Sequence, residues 1–133
     1  MTHQRVDSFE QLIAWQKSRD LCRLVYEMTS KPPLARDFGY TGQLQRAAVS
    51  VMSNIAEGFE RAGRGELHQF LSVAKGSCAE VRSLLYVGLD AGYIPPQTFE
   101  MLRERTYELA RIIGGFRAAV ARQRDEEARG HSS

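Results

Sequence analysis

Three observations predict an all-α fold, an antiparallel up-down four-helix bundle. Apolar residues recur at helical spacing almost throughout, strand signals are nearly absent, and proline or glycine clusters punctuate residues 31–33, 62–65 and 91–96. Each stretch between these breaks is long enough for a helix, and the connections are short, which makes sequence neighbours antiparallel.

The first helix is expected over about 8–29, with Asp7 or Ser8 at its start, since Ser8 and Gln11 fit a capping box, and with "KPP" as its stop. The second spans about 41–61, entered through "DFGYTG" with Asp37 or Thr41 as caps. The third spans about 66–90, closed by Ala91–Gly92 and "IPP". Proline suits a first helical turn, so the fourth begins at Pro95 or Pro96 and runs to about 124. The polar tail 125–133 reads as disordered.

A chain of 133 residues reads as one domain, 1–133, large enough to bury roughly two-thirds of its unfolded surface. The N-terminal stretch lacks the apolar core of a signal peptide, no apolar run approaches membrane-spanning length, and Cys22 and Cys78 fall within apolar helical patterns. The expected setting is cytoplasmic, with buried free thiols and no membrane contact.

Helical spacing also names the core. In the second helix Leu44, Ala48, Val51, Ile55 and Phe59 share a face. In the third the face is Leu67, Phe70, Leu71, Ala74, Cys78, Val81 and Leu85. In the fourth it is Met101, Leu102, Leu109, Ile112, Ile113, Phe116 and Val120. The first helix has a narrow polar stripe (Gln16, Arg19, Asp20, Arg23, Glu27) and an apolar arc wider than one bundle corner needs, which predicts cover by another copy near Trp15.

A second stripe on the second helix holds Gln43, Arg46, Ser50, Asn54, Glu57 and Arg61. Short polar groups beside alanine suggest a close helix contact. The third helix offers Ser77 and Glu80, and the fourth places Arg105 inside its apolar arc. The expectation is a buried structural cluster of Arg46, Ser50, Asn54, Glu57, Glu80 and Arg105, with a glutamate pairing an arginine. Glu57 and Glu80 as an acid–base pair is the weaker reading, since no nucleophile, metal set or phosphate loop accompanies them. No cofactor is implied, and a non-enzymatic role is expected.

The strings "LIAWQKSRDLCRLVYEMT", "QLQRAAVSVMSNIAEGFER" and "FLSVAKGSCAEVRSLL" resemble the four-helix-bundle family of proteins encoded in intervening sequences of 23S rRNA genes. That family is similar in turn to the accessory variability determinant of diversity-generating retroelements. The resemblance covers about residues 9–116 and implies a bacterial cytoplasmic bundle assembled as a ring-like homopentamer without established enzymatic activity. For the retroelement relative it implies a basic surface engaging nucleic acid and a reverse transcriptase. Met52 stands where members commonly carry proline, which should leave the second helix straighter.

Three basic patches are candidates for nucleic-acid contact. Arg61 and Arg64 flank the start of the third helix, where free amides favour an anion. Lys75 and Arg82 share the outer face of that helix with His68 and Tyr86. The fourth helix carries Arg111, Arg117, Arg122 and Arg124 in an acid-free run. A net charge of +2 is too small for one subunit to bind avidly, so symmetry would have to multiply the patches. The leading expectation is an oligomeric accessory protein that holds RNA or DNA phosphates. The alternative is a protein–protein adaptor in which the basic residues are incidental.

Overall fold

Gln11 turns its side-chain carbonyl back onto the amides of Asp7 (2.7 Å) and Ser8 (3.3 Å), as the capping signal predicts. The turn so closed is a 3-10 turn, Phe9–Gln11, and Leu12 is extended (φ −75°, ψ 128°). Helix α1 therefore starts later than expected and spans Ile13–Thr29. The computed structural model describes residues 6–61 and 63–131. Among these the remaining helices are α2 (Phe38–Glu60), α3 (Arg64–Asp90) and α4 (Pro96–His131), with a second 3-10 turn at Leu34–Arg36.

Of the two caps proposed for α2, Asp37 is the one used. Its Oδ1 accepts from the Tyr40 amide at 3.1 Å, which starts the helix three residues before Thr41. Its Oδ2 accepts from the Tyr93 hydroxyl at 2.8 Å. These bonds, the backbone one first, hold the Asp37 carboxyl below its ordinary pKa. Thr41 is buried instead, and its hydroxyl donates to the Leu34 carbonyl at 2.7 Å. Helix α3 starts at Arg64 rather than Glu66, and past its end Gly92 takes φ +77°, a conformation that favours glycine.

The expected disorder from residue 125 is corrected: α4 continues as helix to His131. Arg64 at the start of α3 reaches across to it, donating from Nε to Glu127 Oε1 (2.8 Å) and from Nη1 to Gln123 Oε1 (2.8 Å). That tether ties the distal end of α4 to the bundle. Residues 132–133 lie outside the described part.

Packing follows chain order: α2 contacts α1 and α3, α3 contacts α2 and α4, and the α1–α4 contact is slighter. Antiparallel register shows in the pairings. Ser50 meets Ser77, while Gly58 lies against Leu67 and Phe70. Arg64 meets Gln123, Lys75 lies near Gly114, and Arg82 lies over the Tyr107 ring. A Cβ on Gly58 would sit 2.6 Å from Phe70 Cβ, so this close approach requires glycine.

The core is the one helical spacing names: Leu44, Ala48, Val51, Ile55, Leu71, Ala74, Cys78, Val81, Leu85, Leu102, Leu109, Ile113 and Val120 are all buried. Phe59, Leu67, Phe70, Ile112 and Phe116 are only half-buried, and Met101 is exposed. Cys22 and Cys78 are buried free thiols whose pKa burial pushes up to about 11. On α1, Ile13 and Tyr26 stay exposed at 57% and 48% while Trp15, Leu24 and Met28 are half-buried. Among the described residues no helix is long and apolar enough to cross a membrane.

Candidate nucleic-acid interface

The polar stripe of α2 divides in the structure. Ser50 Oγ lies 2.8 Å from Ser77 Oγ across the α2–α3 contact, and Asn54 Nδ2 donates to Ser50 Oγ (3.0 Å) and the Ser50 carbonyl (2.8 Å). Ser50 and Asn54 are half-buried and Ser77 is buried. This part is the expected structural glue, made of neutral groups alone.

The charged members do not join it. Arg46, Glu57, Glu80 and Arg105 are all exposed, which corrects the expectation of a buried ion pair. Glu57 pairs instead with Arg61, one helical turn along, at 3.0 Å. Arg105 escapes burial because the α1–α4 contact is slight and leaves that arc of α4 partly open, as exposed Met101 also shows.

At the α2–α3 turn both arginines have partners within the chain. Arg61 bonds Glu57, lies 3.7 Å from Glu66 and rests over the Phe70 ring at 5.3 Å. Glu57, by hydrogen bond and charge, raises the Arg61 pKa. Arg64 is committed to Glu127 and Gln123. A phosphate arriving there would compete with carboxylates of this chain.

The remaining basic residues converge elsewhere. On α3, His68, Lys75 and Arg82 recur every seven residues and so share one flank, the flank that faces α4. On α4, Arg103, Tyr107, Gly114, Arg117 and Arg124 line the opposing flank at three-, four- and seven-residue steps. The registers match. The Arg82 guanidinium lies 4.1 Å from the Tyr107 ring centroid, with Nη1 at 3.5 Å from Thr106 Oγ1. A Cβ on Gly114 would stand 3.7 Å from Lys75 Nζ, and one on Gly65 at 3.7 Å from Arg124 Nη1. The His68 pKa is lowered, first by burial and then by the charges of Arg117 and Arg124.

Six basic side chains thus line one seam, from Arg124 through Arg117, His68, Lys75 and Arg82 to Arg103. The span on α4 from Arg103 to Arg124 is roughly 31 Å at about 1.5 Å per residue. Carboxylates stand only at its ends: Glu127 holds Arg64, and Glu100 lies 3.5 Å from Arg103. Among the described residues Lys75, Arg82, Arg117 and Arg124 form no ion pair. The Nε atoms of Arg103 and Arg117 are buried and unbonded.

Of the sequence-predicted basic residues, the seam gathers Lys75, Arg82, Arg117 and Arg124. Arg111 and Arg122 are exposed on another face: at about 100° per residue they point well away from the Arg117–Arg124 flank. Arg103 and Tyr107 were missed. The acid-free criterion passed over Arg103 because Glu100 and Glu104 flank it, although its seven-residue spacing to Ala110 and Arg117 places it on the same flank.

A model of the family described as 23S rRNA-intervening sequence protein matches residues 10–115. Among solved structures, the chain is similar to a protein of unknown function from the S23 ribosomal protein family of Bacteroides thetaiotaomicron VPI-5482. The likeness is 20% in sequence identity with a TM-score of 0.71, over 78% of this chain and 97% of that one. It supports the fold. No curated protein matches the chain.

Proposed function

We propose a function for a chain that belongs to the 23S rRNA-intervening sequence protein family: it is a non-enzymatic accessory protein that holds RNA or DNA by its phosphates. The observation that carries this reading is the α3–α4 seam, where cations line up without carboxylates between its ends. Arginine's planar fork grips two phosphate oxygens at once, and such contacts position a backbone without reading bases. The exposed, separate positions of Glu57 and Glu80 support the non-enzymatic part, because neither carboxylate is desolvated as an acid–base pair needs.

The same reading includes a homo-oligomer. With a net charge of +2, one subunit offers a modest field, and copies would multiply the seam. Exposed Ile13 and Tyr26 on α1 and the half-open arc of α4 at Met101 supply apolar surface for such contacts. The family resemblance favours a pentamer in a cytoplasmic setting.

The test is fluorescence anisotropy of a labelled mixed-sequence RNA against wild type, Lys75→Gln/Arg117→Gln/Arg124→Gln and Arg61→Gln/Arg64→Gln, with light scattering alongside. Wild type should bind at low salt with affinity falling steeply as salt rises. The seam variant should lose most of that binding without changing the oligomer, and the turn variant should keep most of it. No binding by wild type at low salt would rule out the nucleic-acid role and leave the adaptor reading. A monomeric mass near 15.0 kDa would rule out the assembly.

A further inference from the structure

One end of the seam differs from the rest in carrying rings. Tyr86 is exposed at 43% and packs edge-to-face on Phe99, with ring centroids 4.8 Å apart. Next to it, the Arg103 guanidinium lies 5.3 Å from the Tyr107 ring, with the Tyr86 side chain, by hydrogen bond, and Glu100 raising its pKa. Arg82 covers Tyr107 at 4.1 Å. Along α3 and α4 the order is therefore Phe99, Tyr86, Arg103, Tyr107, Arg82, with rings and guanidinium planes alternating from Tyr86 onward. Beyond Arg82 the seam has the cations Lys75, Arg117 and Arg124, with the half-buried His68 imidazole among them and no tyrosine or phenylalanine.

Building on the nucleic-acid reading, we infer that the seam takes a single strand, stacking an unpaired base on Tyr86 and running its phosphates along Lys75, Arg117 and Arg124. Stacking platforms joined to a basic groove are what sequence-tolerant single-strand binding requires, because every base offers a π-face. A duplex is the poorer fit. Its bases are already stacked on one another and cannot reach a side-chain ring, and its two phosphate rows would have to share a single seam of cations. The edge-to-face contact with Phe99 restrains the Tyr86 ring, which limits the ordering cost of stacking. The seam length suits a few nucleotides, the low end of the roughly 4–16 per site known for single-strand grooves.

The experiment compares a labelled single-stranded RNA of about 12 nucleotides with its duplex. Both are titrated at low and physiological salt with wild type, Tyr86→Leu, Tyr86→Phe and Lys75→Gln, whose thermal melts establish that they are folded. Wild type should prefer the strand to the duplex by about tenfold or more. Tyr86→Leu should lose about tenfold for the strand and little for the duplex, Tyr86→Phe should bind as wild type, and Lys75→Gln should weaken both. If strand and duplex bind equally, or if Tyr86→Leu matches wild type while Lys75→Gln weakens binding, the single-strand assignment falls and the phosphate-binding reading survives. If neither probe binds at low salt, both fall.

Discussion

Helix α3 packs on two neighbours in opposite ways. Towards α2 it offers Ser77, which meets Ser50 and through it Asn54, so both hydroxyls and the Asn54 amide nitrogen have partners within the chain. Towards α4 it offers His68, Lys75 and Arg82, and the facing residues are Arg117, Arg124 and Arg103 rather than acids. One flank is closed and neutral; the other is like-charged and open. The first arrangement serves folding alone. The second adds repulsion to the folded state, offset at one end by Tyr107, Thr106 and Glu100 and relieved along the rest only when an anion arrives, and that asymmetry directs the functional reading to the seam.

The sharpest way to break the closed flank is to open its core. Ile55 is fully buried on α2. Ile55→Ala should cost about 2–5 kcal/mol, the transfer term plus the cavity left behind. Urea denaturation measures it, and a loss below about 1 kcal/mol would mean that the α2 core collapses readily around the gap. A smaller effect is expected within the polar trio. Ser77→Ala removes one bond but leaves Ser50 still accepting from Asn54, so the loss should be about 1 kcal/mol. Ser50→Ala should cost more, because Ser50 Oγ joins both partners. Equal losses would mean that Asn54 rebonds elsewhere.

The two flanks were not equally legible in the sequence. Apolar periodicity names the core of α2, α3 and α4 because each buried position is a local property of one helix. The Ser50–Asn54 pair follows the same way from a four-residue step. What failed depends on inter-helix distances that no single helix encodes. Arg105 falls within the apolar arc of α4, yet α1 covers that arc too lightly to bury it. Glu57 sits on the stripe of Ser50 and Asn54, but its partner is the nearby Arg61. The stretch after residue 124 is polar, and the tether from Arg64 to Gln123 and Glu127, which holds that end of α4 to the bundle, is a long-range contact that the local sequence does not show. The seam itself is a matched pair of half-patterns, each unremarkable until α3 and α4 lie antiparallel.

On the open flank, removing charge should act on binding and not on folding. Lys75→Gln/Arg124→Gln takes away two exposed cations that form no ion pair among the described residues and removes some like-charge repulsion, so melting should be unchanged or slightly raised. The slope of log affinity against log salt for a single strand should become shallower by about 0.7 for each phosphate that the variant no longer neutralises. A lowered melting temperature with an unchanged slope would place these cations among the groups that hold the bundle together.

The smallest effect tests whether His68 belongs to the seam electrically. Burial, then Arg117 and Arg124, hold its pKa below the ordinary 6.5, while no such field acts on it in the unfolded chain. Between its folded pKa and 6.5 the unfolded state binds the extra proton. The stability contribution of His68 is therefore complete above about pH 6.5 and lost as pH falls through the folded pKa. Binding should run the other way. A phosphate laid beside Arg117 and Arg124 screens the charges that suppress protonation, so the complex takes up a proton and affinity rises on acidification. Between about pH 7.5 and 5.5, wild type should gain severalfold in affinity for a short RNA, whose internal phosphodiesters do not titrate there, and His68→Asn should lose that gain. Its own melting should also vary less with pH over the same interval. If His68→Asn keeps the full pH dependence of binding, the proton is taken up elsewhere and His68 lies outside the path of the polyanion.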